Sequence, residues 1–450
     1  MKVLLVRPPA PNKLSFTKIL DNEPLELEYL HTVLSNGGHT DYIYDGLIET
    51  VSVEAVIRRE KPDVIAITGY ITQEKLMLDF CKKAKRINSK IITIIGGVHA
   101  QLNYRRFYAP QVDYIMRSES MEAFGLLMEA LVLQRKEEFG KINGLCYQGT
   151  DDWVENALKQ TNINDLPLPD RTFFHKNKRH YRYLDLTEVA TIKTALSCPF
   201  NCNFCYCTLL NGGHYQTRDL SLVLEELKTI EAENIQIVDD DFLVDQERVL
   251  AFVDMIKTNN IKKRFICYAR ADFVASNSEV IKSLVQIGFY YFLVGLEAVN
   301  DHELAGYNKS TTKSHNEDCV RVISQAGGNC IALMIAPLDA DKEYFETLYL
   351  WIQKNQLKYV TVSIFTPIPG TPLYEEYKDR LITEDIEAWD FLHLVIKPEK
   401  LTTRGFYRQY LKLFLRLYRI ARVSGIYDFM DLPYYMRMLR SALRRKIIGG

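Results

Sequence analysis

Twice along its length this chain alternates short apolar strands with amphipathic helices, and a proline-bearing stretch separates the two blocks. In the first block, strand patterns at residues 2–6, 42–44, 64–68, 91–95 and 112–116 end mostly in Pro or Gly. Helical spacing fills the gaps at 25–34, at 53–59 (with Ser52 as N-cap) and at 75–87. Strands this short and apolar, each followed by a helix, are covered on both faces. The pattern therefore predicts an α/β fold with a parallel, doubly wound sheet over residues 1–135. Ligands of such sheets bind at the carboxyl ends of the strands. Residues 136–188 read as a connector, with a hairpin at 144–147 and an extended crossing at Leu166-Pro167-Leu168-Pro169. The alternation resumes over 189–375, with strands at 189–194, 235–238, 264–268, 291–294, 330–335 and 359–365. Six such repeats suit a partial barrel or a second open sheet, and the pattern does not choose between them. Residues 376–450 read as helical and basic.

The cysteines are unevenly placed. Four of the nine fall in Ser197-Cys198-Pro-Phe-Asn-Cys202-Asn-Phe-Cys205-Tyr-Cys207, directly after a strand. An odd count, without a secretory leader, argues against a disulfide framework. Three thiolates spaced x3 and x2 wrap a four-iron cube and leave one of its corners open to a ligand. Zinc, the competing assignment, asks for four tetrahedral ligands. Cys207 offers a fourth, but no second ligand pair follows.

This spacing, with Phe204 just before the last cysteine, resembles the radical S-adenosylmethionine (SAM) superfamily. The resemblance implies a 4Fe-4S cluster on Cys198, Cys202 and Cys205. It implies SAM chelated at the open iron, cleaved reductively to methionine and a 5′-deoxyadenosyl radical, with Phe204 beside the adenine. Asp239-Asp240-Asp241-Phe242 resembles the segment that receives the SAM amino group, and Asp240 matches best. Arg270, in an Arg-x-Asp element with Asp272, would meet the SAM carboxylate. Glu297, in Gly295-Leu-Glu-Ala, would bind a ribose hydroxyl. Pro369-Gly370-Thr371-Pro372 resembles the close of the same catalytic domain. One departure is Ala336-Pro337-Leu338, where relatives often carry a Gly-rich turn.

The first block has neither Gly-x-Gly-x-x-Gly nor Gly-x4-Gly-Lys, which speaks against a dinucleotide or P-loop site. Its strand ends carry Arg7-Pro8-Pro9, Asp45-Gly46, Gly69-Tyr70-Ile71-Thr72 and Gly96-Gly97-Val98-His99. In that order they resemble the cobalamin-binding (flavodoxin-like) domain of cobalamin-dependent radical SAM enzymes. Gly96 and Gly97 would let backbone approach the corrin's nucleotide tail, with Thr68 and Thr72 as hydrogen-bonding partners. No Asp-x-His-x-x-Gly supplies a lower-face histidine; Tyr70 or Gln73 would approach the cobalt instead, and His99 reads as packed. Ser118-Glu119-Ser120 stands where relatives often have Gly-Glu-Gly-Glu.

The resemblance spans roughly residues 1–375. It implies a radical SAM partial (β/α)6 barrel after the cobalamin domain, a helical C-terminal extension, and the cofactors 4Fe-4S cluster, SAM and cobalamin. The implied activity is methylation of an unactivated carbon through methylcobalamin; the alternative is ring closure, ring contraction or another radical rearrangement without methylation. A small-molecule or peptide substrate and an external electron donor such as flavodoxin or ferredoxin would be the partners. Nucleic acid is not expected at a net charge of −1. The charge is unevenly spread, at +9 over residues 401–450. Arg408, Lys412, Arg416 and Arg419 form a basic stripe and Leu411, Phe414, Leu415 and Tyr418 an apolar one. These helices are expected to cap the catalytic domain, with peripheral membrane contact as the alternative. With no signal segment and no 20-residue apolar run, the expected location is the cytoplasm.

Overall fold

A computed structural model describes residues 1–10 and 20–425. The first sheet holds β1 (Lys2–Arg7), β2 (Thr40–Asp45), β3 (Val64–Thr68), β4 (Ile92–Gly96) and β5 (Tyr114–Met116), all parallel, in the order 2-1-3-4-5. Alternate residues serve opposite faces. Val3, Leu5, Ala66 and Ile94 pack with the helices Leu25–Asn36 and Met121–Val132. Leu4, Val6, Ile65 and Ile67 pack with Val53–Glu60 and Glu74–Ile87. Double-sided burial is why these strands read as unbroken apolar runs. Ser52 caps its helix by accepting from Ala55 N. The strand order reverses between β1 and β3, and such a switch point opens a crevice at the carboxyl ends. Arg7-Pro8-Pro9 and Gly69-Tyr70 flank it. The expected hairpin, β6 (Leu145–Gln148) and β7 (Trp153–Glu155), extends this sheet antiparallel beyond β5.

The second sheet holds β8 (Val189–Ile192), β9 (Asn234–Ile237), β10 (Arg264–Arg270), β11 (Phe289–Glu297), β12 (Asn329–Ala336) and β13 (Tyr359–Ile364), all parallel and in chain order. Right-handed crossovers in sequential order put every helix on one face, and the sheet curls into a partial barrel. Ile235, Ile237, Cys267, Phe292, Val294 and Ala332 face the helices. Val189, Ile266, Tyr291, Leu293 and Ile331 face inward against Tyr183 and Leu186. Those two come from a small antiparallel sheet that plugs the amino-terminal half of the interior. The carboxyl half is left for a site.

A buried ionic cluster ties the two sheets together. Arg171 donates to Glu23 (2.6 Å), to Glu226 (2.7 Å) and to the Thr191 carbonyl (2.8 Å), and Arg218 pairs with Glu226 as well. Glu28 lies 3.8 Å from Arg171. Three carboxylates thus face two guanidiniums. Burial, reinforced by the Glu23 charge, holds the Glu28 carboxyl up at about 10. The native chain keeps this proton to about pH 10, whereas the unfolded chain releases it in the ordinary carboxylate range. Native protein therefore binds more protons than unfolded protein across that window, and stability falls as pH rises through it. The urea midpoint is expected to be lower at pH 9.5 than at pH 7, and Glu28→Gln, neutral at both, should shrink that difference. An undiminished difference in the variant would remove Glu28 as its source.

The C-terminal region corrects two expectations. Residues 381–402 are largely non-helical: Asp385 caps only a single short turn, Ile386–Ala388, by accepting from Glu387 N, and Asp390 turns its side chain onto Leu392 N, a local bond that competes with helix. Helix resumes at Thr403–Val423, and it buries Phe406, Tyr410, Leu413 and Leu417 rather than Leu411, Phe414, Leu415 and Tyr418. Tyr410 sets the register by donating to the Val362 carbonyl at 2.6 Å. Within the basic stripe, Arg416 forms a bidentate pair with Glu346 (2.6 and 2.9 Å). That pairing supports the cap, and nothing among the described residues supports membrane contact. No described helix is long and apolar enough to cross a membrane. The rest of the basic extension lies outside the described residues.

Candidate active site

Ser197, at φ +63°, turns the chain out of the barrel wall and starts the cysteine loop. The loop is pinned from several sides. Asn203 N donates to the Tyr307 carbonyl (3.0 Å), Leu373 N to the Asn203 carbonyl (3.2 Å), and Asn308 Nδ2 to the Asn201 carbonyl (2.7 Å). Cys198, Cys202 and Cys205 are free thiols. Burial pushes Cys198 up to about 12 and raises Cys202. Cys207 donates to Cys205, which lowers Cys205 and raises Cys207. Phe204 meets the Tyr307 ring edge-on at 5.4 Å.

The three adjacent aspartates after β9 take separate roles. Asp239 is buried and accepts from Thr194 N (2.6 Å) and Ala195 N (2.9 Å), bracing the strand that leads to the cysteines. Asp241 is buried and accepts from Leu243 N at 3.1 Å, while its Oδ2 has no partner. Asp240 is only half buried. Desolvation raises its carboxyl, opposed by Lys193 and by a hydrogen bond with Cys207.

At the ends of β10 and β11, Arg270 grips Asp272 with both arms (3.0 and 2.9 Å), and Glu297, at φ +60°, accepts from Lys309 Nζ at 2.9 Å. Both ion pairs are local, and neither joins strand to strand.

In the first domain, Gly97 packs directly on Thr68. Gln73 is spent holding the turn: it accepts from Tyr70 N (2.9 Å) and donates to the Pro8 carbonyl (2.8 Å). It is therefore not available to a cobalt. His99 is packed, 3% exposed and 2.7 Å from Glu74. Thr72 is half buried and close to that turn. Ser118 and Ser120 replace the missing glycines with side-chain bonds: Ser118 Oγ accepts from Ser120 N, and Ser120 Oγ from Ala123 N. Glu119 is thereby aimed at Lys193, 3.2 Å away at the end of β8.

Tyr70 is 58% exposed, yet desolvation raises its pKa, and it senses Glu26, Arg7, Lys193 and Asp240. A side chain both accessible and surrounded by protein lines an internal chamber. Tyr206 and Tyr268 show the same upward shift by burial and sense Tyr70, Cys207 and Asp240. The Glu119–Lys193 ion pair brings the carboxyl ends of β5 and β8 together, so the carboxyl ends of both sheets border one chamber, with the cysteine loop on one side and Tyr70 on the other. Lys193, Lys309, Tyr206, Tyr268 and Glu26 lie in the candidate site, and the sequence did not single them out. Lys193 was within reach, since it continues the inward phase of Val189 and Thr191.

A B12 binding domain profile matches residues 19–127, and the radical SAM superfamily profile matches residues 192–352. The chain is 27% identical to hopanoid C-3 methylase of Methylococcus capsulatus, over 93% of this chain and 80% of that protein. It is 27% identical to the anaerobic magnesium-protoporphyrin IX monomethyl ester cyclase of Cereibacter sphaeroides, over 84% of this chain and 64% of that one. Its fold matches the cobalamin-dependent SAM radical enzyme OxsB, solved with aqua-cobalamin and SAM bound, at a TM-score of 0.66 and 18% identity. That match covers 92% of this chain and 61% of OxsB. The chain carries a B12 binding domain followed by a radical SAM domain, the arrangement of cobalamin-dependent radical SAM enzymes.

Proposed function

We propose that this protein is a cobalamin-dependent radical SAM C-methyltransferase acting on a small molecule, with an external one-electron reductant. The observation that carries the reading is the shared chamber, where the Glu119–Lys193 ion pair holds the carboxyl ends of a 2-1-3-4-5 sheet against the strand that leads into the cysteine loop. The residues present suit the cofactors. The donor set for the cluster is three free thiols, soft ligands that match iron–sulfur. Asp241 Oδ2, buried without a partner beside the loop, marks a polar site that protein atoms leave unfilled. When bound, the cluster with SAM supplies a radical initiator, and cobalamin supplies a transferable methyl group.

The chain's own residues do the rest. Cys198, Cys202 and Cys205 would hold the cluster. Asp240 would offer its half-buried carboxylate to the SAM amino group, with Phe204 for the adenine and Glu297 for the ribose. Gly96, Gly97, Thr68 and Thr72 would receive the corrin beside β3 and β4, with Tyr70 toward the cobalt. Tyr206 and Tyr268 narrow the chamber and exclude water from it. Free cysteines suit a reducing compartment such as the cytoplasm.

The test uses reconstituted protein, a low-potential reductant and SAM bearing a trideuteromethyl group, with hopanoids and tetrapyrroles as substrates, the classes named for its relatives. A product carrying that intact group is expected. The cyclase relatives favour a second reading, ring closure. A product that changes mass without label would replace the first reading by the second.

A further inference from the structure

Arg270 is turned away from the chamber's open polar positions and toward a cluster ligand. Its guanidinium is 6% exposed, and each arm is occupied. Nε and Nη2 grip Asp272, Nη2 also donates to the Lys309 carbonyl at 2.6 Å, and Nη1 points at Cys202 Sγ, 3.8 Å away. Phe200, inside the cysteine loop, stacks on the guanidinium at 3.9 Å. A bidentate grip on a bound carboxylate needs a free fork, and this fork is filled. Lys309 brings a second buried cation. It pairs with Glu297, and its charge and that of Arg270 both act on the Cys202 sulfur. Cys198 instead feels the negative charges of Asp241 and Asp240 and the neighbouring Cys205. Lys309 acts on Cys205 as well, but the direct guanidinium contact is made to Cys202.

We infer that Arg270, with Lys309 behind it, is a positioning residue that sets the cluster's reduction potential through the Cys202 sulfur, rather than a ligand of SAM. Adding one electron makes the cluster more negative. A charged N–H held against a ligating sulfur stabilises that reduced state more than the oxidised one, so the potential rises. The electron comes from the external low-potential donor, and no proton or bond is exchanged at Arg270. Asp272 and the Lys309 carbonyl fix the guanidinium so that its direction does not depend on whether SAM is bound. This inference rests on the iron–sulfur reading of the cysteine triad.

The experiment compares wild type, Arg270→Gln and Arg270→Lys, each reconstituted anaerobically, with iron counted first. Zinc or no metal in the wild type would overturn the iron–sulfur reading itself. With iron present, the midpoint potential is followed by the spectrum of the reduced cluster during redox titration, with and without SAM. Arg270→Gln is expected to show at least a tenfold smaller reduced fraction at a fixed ambient potential, a shift of about 59 mV for one electron. Arg270→Lys, which keeps the charge without the fork, should shift less, and both should keep the spectral change that SAM induces. An unchanged midpoint would overturn the assignment, and loss of the SAM-induced change in both variants would replace it by a SAM-ligand role for Arg270. Should Arg270→Gln fail to retain iron, Arg270→Lys alone decides: a lowered midpoint supports the inference and an unchanged one overturns it.

Discussion

Replacing Cys198, Cys202 and Cys205 together by alanine is expected to remove about four irons per chain and all product formation, while the corrinoid stays bound. The loop itself should keep its course, because Asn203 and Leu373 through the backbone, and Asn308 through its side-chain amide, hold it by bonds that no thiol supplies. The corrinoid should persist because β1 to β5 form a sheet with cores of their own. Cys207→Ser is the companion variant. Cys207 donates to Cys205 and contacts Asp240, and it stands outside the x3 and x2 spacing of the other three. It should retain iron. Iron and corrinoid, counted after anaerobic reconstitution, separate the cases. Zinc bound in the wild type and lost in Cys207→Ser would replace the cube by a tetrahedral site. Iron retained in the triple variant would move the cluster elsewhere in the chain.

What could be read before the fold was known follows from which interactions are local. β3 is legible to the residue, because a parallel strand buried on both faces is an apolar run bounded by polar ends. The cysteine triad is legible because its ligands lie within eight residues of one another. The chamber's walls were harder. Glu26, Tyr70, Lys193 and Tyr268 come from four distant segments, and only the docking of the two sheets makes them neighbours. Docking in turn depends on Arg171 and its buried carboxylates, charged residues that from sequence look like solvent-exposed ones. The partners of Arg270 were hidden for a different reason. Its motif places it at the right strand end, but the direction of a guanidinium is decided by its partners, here Asp272 and the Lys309 carbonyl. The C-terminal helix shows the same limit: several registers offer an apolar stripe, and the Tyr410 bond to Val362 selects one.

Gly97→Ala is expected to destabilise the first domain by on the order of 4 kcal/mol and to abolish corrinoid retention. Two costs combine. Gly97 sits at φ 87° and ψ −179°, a conformation nearly reserved for glycine, and a side chain there is strained by about 1–3 kcal/mol. A Cβ would also stand 2.2 Å from Thr68 Oγ1 and 3.2 Å from Gly69 N, an overlap that costs about 1–3 kcal/mol more. Neither neighbour yields easily, since Thr68 closes β3 and Gly69 begins the turn that Gln73 holds. Any displacement there passes to Tyr70 and so to the chamber wall. Adding Thr68→Ala removes the overlap but not the backbone strain, so the double variant should recover part of the stability. Gly38→Ala separates the terms from the other side: Gly38 lies at φ +70° with nothing within 4 Å of its Cβ position. It should lose stability through strain alone and keep its corrinoid. Urea unfolding and corrinoid bound per chain give both readouts. Wild-type stability in Gly97→Ala would refute the strain argument. Wild-type corrinoid content in a destabilised Gly97→Ala would move the corrin away from the β3–β4 crevice.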